Sequence, residues 1–105
     1  MPGPGTPREA LAWTQAALRD GRYIPSIHFG ERLVERGFDM LDVLHAVERA
    51  TRVTAYDQDP QHGGTCWRVT GPDVDVGRRV AVGVECFLDR KRRRVVLITV
   101  MEGSR

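Results

Sequence analysis

The stretch "SIHFGERLVERGFD", residues 26 to 39, carries one imidazole and two guanidiniums at a spacing that matters only on a helix. With 3.6 residues per turn, His28, Arg32 and Arg36 stand at i, i+4 and i+8, one above another, while Phe29 and Leu33 turn toward a different side. An imidazole gains or loses its charge near neutral pH and a guanidinium keeps its own. Together they suit removal of a proton from a ribose 2′-hydroxyl beside a phosphate held by fixed cations. His28 lies in the first helical turn, where the positive end of the dipole favours the neutral ring that can accept a proton. The same spacing also describes the wet side of an ordinary amphipathic helix, with Arg32 and Arg36 paired to Glu31 and Glu35 for a few tenths of a kcal/mol each. Periodicity alone favours that plainer account.

Charge is clustered elsewhere. Formal net charge is only +2, yet Arg90, Lys91, Arg92, Arg93 and Arg94 run together and Arg78 adjoins Arg79. A polyanion responds to such local density, and the run suits phosphate binding without sequence preference. Charged hairpin tips also protect sheet edges, which is the competing explanation. Arg68 is expected on the sheet face opposite Trp67 and Val69, where a half-buried guanidinium has to be paired or used. With Arg32 and Arg79 it completes the candidate RNA-binding set. Trp67, Tyr56 and Phe87 could stack on bases, though aromatic residues in so small a domain usually fill the core. His45 reads as a solvated helix residue and His62 as part of the turn "DPQHGG"; neither has a partner at metal-ligand spacing. Cys66 and Cys86 make no disulfide framework and no zinc site. No phosphate-binding glycine loop, nucleophile elbow or metalloprotease helix is present.

The elements that would carry these residues are legible from caps and periods. Thr6, Pro7 and Glu9 form an N-terminal capping signal, Leu11, Ala12, Ala16 and Leu18 a helical stripe with Trp13 and Ala17 alongside, and Gly21 a stop. "RYIPS" reads as a linker, with Ser26 capping a second helix that ends at Gly37. Asp39 caps a third, whose Leu41, Leu44 and Val47 are expected to face a core with Val43 and Ala50. After Ala50 the period changes to alternation. "TRVTAYDQ", "TCWRVTG", "RRVAVGVECFL" and "RRVVLITVME" predict four strands whose short connections force antiparallel pairing. Val80, Val82, Val84 and Cys86 should share one face; Arg79, Ala81, Gly83, Glu85 and Phe87 should share the other. The expected class is α+β, with N-terminal helices on one face of a four-stranded antiparallel sheet.

A chain of 105 residues, 41% hydrophobic and 29% charged, fits a single globular domain, here residues 6–105 after a flexible start at 1–5. It lacks the apolar run of about 20 residues that a membrane span needs and the pattern of a signal peptide, so a cytoplasmic protein is expected.

The order "HFGERLVERGFDMLDVLHAV", then "GRRVAVGVE", then "VVLITVME" resembles the domain-of-unknown-function family numbered 4258, itself similar to the RelE/ParE-like toxin fold grouped with barnase, EndoU and colicin nucleases. The resemblance covers about residues 23 to 102 and rests on His28, Arg36-Gly37-Phe38, Asp42-Val43, Gly77-Arg78 and Thr99. It implies a bacterial toxin of toxin–antitoxin or delivered type that cleaves RNA, including ribosome-bound mRNA, without metal or other cofactor, or a non-catalytic module that binds RNA or protein. It also implies a small antitoxin protein as partner and no membrane. Carried over residue by residue, His28 would be base or acid, Arg36 and Arg78 would hold the phosphate, and Thr99 would hydrogen-bond it. Glu85 could join His28 only by sharing its face.

Overall fold

The computed structural model describes residues 3–103. Its elements run α1 (Pro7–Arg19), β1 (Tyr23–Pro25), α2 (Ile27–Glu35), α3 (Met40–Glu48), β2 (Arg52–Ala55), β3 (Thr65–Pro72), β4 (Arg79–Asp89) and β5 (Arg92–Glu102). The class is α+β, but the sheet has five strands in the order β1-β5-β4-β3-β2. Strands β2 to β5 form the expected antiparallel meander. The four-stranded antiparallel sheet is corrected by β1, which pairs parallel to β5 with Tyr23 opposite Val95 and Pro25 opposite Leu97. Three residues ending in proline carry no alternation that periodicity could register. The long intervening chain permits the parallel pair, and Pro25, lacking an N–H, sits where an edge strand tolerates it.

Caps set the helix starts as the sequence predicts. Thr6 and Ser26 accept from the backbone N–H of Glu9 and Phe29, and Asp39 and Asp42 close a reciprocal box. The buried faces are shifted. Helix α1 buries Ala10, Trp13, Thr14, Ala17 and Leu18, and Leu11 and Ala16 of the expected stripe are only partly covered. Helix α3 buries Val43, Ala46 and Val47, whereas Leu41, expected in the core, is 66% exposed. The rotation has a cause at Gly71, where an added Cβ would stand 2.1 Å from the Ala46 carbonyl oxygen. Backbone meets backbone there, so the small Ala46 faces β3 and Leu41 turns away.

Helices α1 and α3 cover the sheet face that carries Val69, Val80, Val82, Val84, Cys86, Val95, Leu97 and Val100. The other face carries Arg68, Ala81, Gly83, Glu85, Phe87 and Thr99, as the alternation predicts. A register shift between Gly83 and Val84 pairs Gly83 with Thr99 and Val84 with Leu97, leaving Ile98 as the extra residue of a bulge. Gly3 and Pro4, in the segment read as a flexible start, are buried, and the Thr65 hydroxyl donates to the Pro4 carbonyl at 2.8 Å. Residues 1 and 2 of that segment, and the last two of the domain as bounded from the sequence, lie outside the described residues.

Strands β4 and β5 join through two residues, since Asp89 pairs with Arg92. Arg90 and Lys91 both take positive φ, 51° and 70°, the signature of a type I′ turn that normally uses Asn-Gly. Side chains with a Cβ are strained there by about 1–2 kcal/mol per residue. Replacing Arg90-Lys91 by Asn-Gly should therefore raise the urea midpoint with an unchanged slope, a gain of roughly 1–2 kcal/mol in all.

Candidate active site

Glu85 lies at the centre of the polar face with 2% of its surface exposed. Its oxygens accept backbone N–H groups from Gln61 at 2.9 Å, His62 at 2.9 Å and Gly64 at 3.0 Å. Nδ1 of His62 stands 3.2 Å from Oε1. Burial pushes the Glu85 carboxyl up, but the backbone donors of Gly64, Gln61 and His62 together with the His62 ring outweigh it and hold its pKa below the ordinary value. An ionised carboxylate only accepts, so His62 donates through Nδ1–H, which leaves Nε2 as the nitrogen that can carry the ring's lone pair. The ring also stacks on Phe87, centroids 4.7 Å apart and planes 24° from parallel. Gly64 is required at this corner, because a Cβ there would lie 2.0 Å from the Cys86 carbonyl oxygen.

A cavity of about 430 Å³ opens beside this pair, lined by Ser26, His28, Gln58, Gln61, His62, Glu85, Val96 and Ile98. Ser26 fixes the far wall. Its hydroxyl caps Phe29 N–H and donates to the Ile98 carbonyl at 3.0 Å, while its own N–H donates to the Leu97 carbonyl at 3.0 Å. The start of α2 is thereby tied to the β5 bulge, and His28, in the first turn, faces the cavity that Glu85 and His62 enter from β4 and the 56–64 loop. Glu85 and His28 do share a site. The arrangement is two imidazoles on one cavity, one oriented by a buried carboxylate above apolar Val96 and Ile98.

The other candidates separate. Arg32 pairs with Glu35, one turn along the exposed side of α2. Arg36 is exposed at the C-cap, about 12 Å along the axis from His28 at ~1.5 Å per residue. Arg78, expected at a phosphate beside His28, is used at that same far end: its two Nη atoms donate to the carbonyls of Arg36 at 2.9 Å and Gly37 at 2.8 Å. Its guanidinium also covers the Phe38 ring at 4.1 Å. It satisfies helix-terminal carbonyls, which a cation does well, and the Arg36–Arg78 phosphate clamp next to His28 is corrected accordingly. The ladder is not one unit.

Thr99 is buried opposite Gly83, in the row next to Glu85, and Arg68 is Gly83's other neighbour in that row. Arg79 donates to the Thr51 hydroxyl. In the basic run Arg93 lies over the Trp13 ring at 4.8 Å and Arg94 pairs with Asp89 at 2.9 Å, while Arg90, Lys91 and Arg92 are exposed at the tip. Sequence reasoning missed His62. Its loop has no period, and the one available signal was the pair Gly63-Gly64 following it.

Among the described residues no three His, Cys, Asp or Glu side chains gather as a metal-binding set, and no helix is long and apolar enough to cross a membrane. The chain matches no family model, and no curated protein or solved structure is significantly similar to it.

Because the folded pKa of Glu85 is depressed, its stabilising contribution is complete above the unfolded value, about 4.3, and disappears as pH falls through the lower folded value. Glu85→Gln should destabilise by roughly 1.5–3 kcal/mol at pH 7, and the deficit should shrink below pH ~4 as the wild type protonates. Urea titrations across pH measure both.

Proposed function

We propose that this domain is a small metal-independent endoribonuclease of the toxin type its sequence resembles. The observation that carries the reading is that His28 and His62 line one cavity while Glu85 fixes the tautomer of His62. Cleavage through a 2′,3′-cyclic phosphate needs a proton acceptor at the 2′-hydroxyl and a donor at the leaving oxygen. In the proposed step Nε2 of His62 takes the 2′-hydroxyl proton and the 2′-oxygen bonds to phosphorus. The phosphorus–5′-oxygen bond breaks, and His28, in the fraction of molecules whose ring carries a proton there, delivers it to that oxygen. Glu85 remains ionised throughout and stabilises the imidazolium formed on His62, as a buried carboxylate does in other acid–base pairs. Val96 and Ile98 give the cavity an apolar floor. Thr99, one row away, is proposed as a neighbour of the bound strand.

The exposed cations at Arg90, Lys91 and Arg92 would draw the RNA backbone toward the cavity from the β4–β5 end. A toxin of this kind would be restrained in its host by a small partner protein, and the RNA could be ribosome-bound mRNA.

Purified protein should cut RNA to 2′,3′-cyclic phosphate ends, and His28→Ala or His62→Ala should each lower the rate by about 10²–10⁴ while leaving RNA affinity nearly unchanged. Chelators should leave the rate alone, and induced expression should arrest growth in a way His28→Ala relieves. RNA left whole, with and without ribosomes, would move the domain to the non-catalytic binding class.

Salt provides an independent check on the tip. Replacing Arg90, Lys91 and Arg92 together should reduce the slope of log affinity against log salt by up to about 2 units, at ~0.7 for each single-strand phosphate no longer neutralised. An unchanged slope would remove the tip from the RNA path.

A further inference from the structure

On the same sheet face, beyond Gly83, a second cleft of about 390 Å³ is lined by Arg52, Thr54, Arg68, Thr70, Glu102 and Gly103, among others. Arg68 is its centre. Register places Arg68 between Thr54 of β2 and Gly83 of β4, with Thr70 two residues on along the same face. Its guanidinium carbon stands 5.4 Å from the centroid of the Tyr56 ring. That platform depends on Gly83, since a Cβ there would come within 3.0 Å of the ring. No carboxylate pairs with Arg68 among the described residues, and its Nε is buried without a hydrogen-bond partner. An unsatisfied buried donor on a charged group is costly, and native structures keep few without a reason. Arg68 lines the cleft together with Thr54 and Thr70, two side chains that carry hydroxyls.

We propose that this cleft binds a phosphate group, with Arg68 as the anchor and Thr54 and Thr70 as neutral donors. A planar guanidinium held over an aromatic ring is pre-organised for phosphate oxygens, and hydroxyls add donors without competing charge. Glu102 at the rim opposes an anion and tempers the affinity. Along β4 the Gly83 row that pairs with Arg68 lies two residues from Glu85, about 7 Å at ~3.4 Å per residue, and the cleft reaches the Ala81 row at about 14 Å, a span a short oligonucleotide covers. The inference deepens the ribonuclease reading, and rests on it only in naming the ligand as a flanking phosphodiester of the same single strand.

The experiment is amide NMR titration of the full chain, first with inorganic phosphate and then with a short 2′-O-methylated oligonucleotide that cannot be cut. Saturable shifts should centre on Thr54, Arg68 and Thr70 for both ligands. Arg68→Gln should weaken binding by about tenfold or more, and Glu102→Gln should strengthen it. Arg68→Met supplies a second readout: it should lose binding while raising Tm, because an apolar side chain removes the unsatisfied donor. Shifts scattered over Arg90 to Arg92, or a lowered Tm in Arg68→Met with phosphate affinity kept in Arg68→Gln, would overturn the site. Phosphate and oligonucleotide in the cleft with RNA left whole would sink the ribonuclease reading alone. Cleavage that survives Arg68→Gln with an empty cleft would sink this proposal alone.

Discussion

The carboxylate of Glu85 is the constraint around which the polar half of this domain is organised. A charge placed in the middle of a sheet must be matched there or neutralised. The chain matches it with three converging backbone N–H groups and one imidazole, all from residues 61–64. The loop between β2 and β3 therefore closes over the sheet in one conformation, with Gly64 against β4 and His62 stacked on Phe87. The same charge keeps chemistry out of its neighbour. Cys66, opposite Glu85 in β3, is pushed up to about 11 by burial and then by Glu85 and Asp59, so it stays a thiol. Cys86 on the core side is pushed up to about 12, chiefly by burial, and packs as an apolar residue.

Around that centre the arginines sort by what each touches. Arg78 caps the end of α2, Arg22 ties β1 to β5 through the Arg93 carbonyl, and Arg19 pairs with Glu48 between α1 and α3. These hold elements together and are unavailable to a ligand. Arg68 and the tip residues Arg90, Lys91 and Arg92 have no such structural duty. Net charge says nothing of this division, because it counts a helix cap and a free cation alike.

Local signals are the legible ones. Ser26, Asp39 and the alternation of Val80, Val82 and Val84 act over a few residues, and they place α2, α3 and β4 correctly. Everything that depends on a distant partner is hidden. Tyr23–Pro25 is a strand only because β5 lies beside it. Leu41 is outside because Gly71 meets Ala46. His28 stands out as a candidate from its place in the first turn, and Glu85 from its face. His62 does not, because its position follows from satisfying a buried carboxylate 23 residues away. Arg78 shows the converse error: a cation next to a strand looks ligand-binding, while the carbonyls it serves lie 41 and 42 residues away in sequence.

Three of the places where local rules are broken lie beside one another, while a fourth, Val76 at φ 58°, stands apart in the β3–β4 loop. At one end two residues with side chains occupy left-handed positions of a turn that glycine and asparagine would relax. At the middle a carboxylate is buried, and toward the other end a guanidinium nitrogen is buried without a partner. They follow β4 from the turn after Asp89 past Glu85 to Gly83, where Arg68 of β3 pairs, a run of about 20 Å at ~3.4 Å per residue. The succession sets exposed cations at the tip on one side of the buried carboxylate and Arg68 on the other. The opposite face breaks none of these rules: its valines simply pack, and the stability they supply is what lets the polar face remain imperfect.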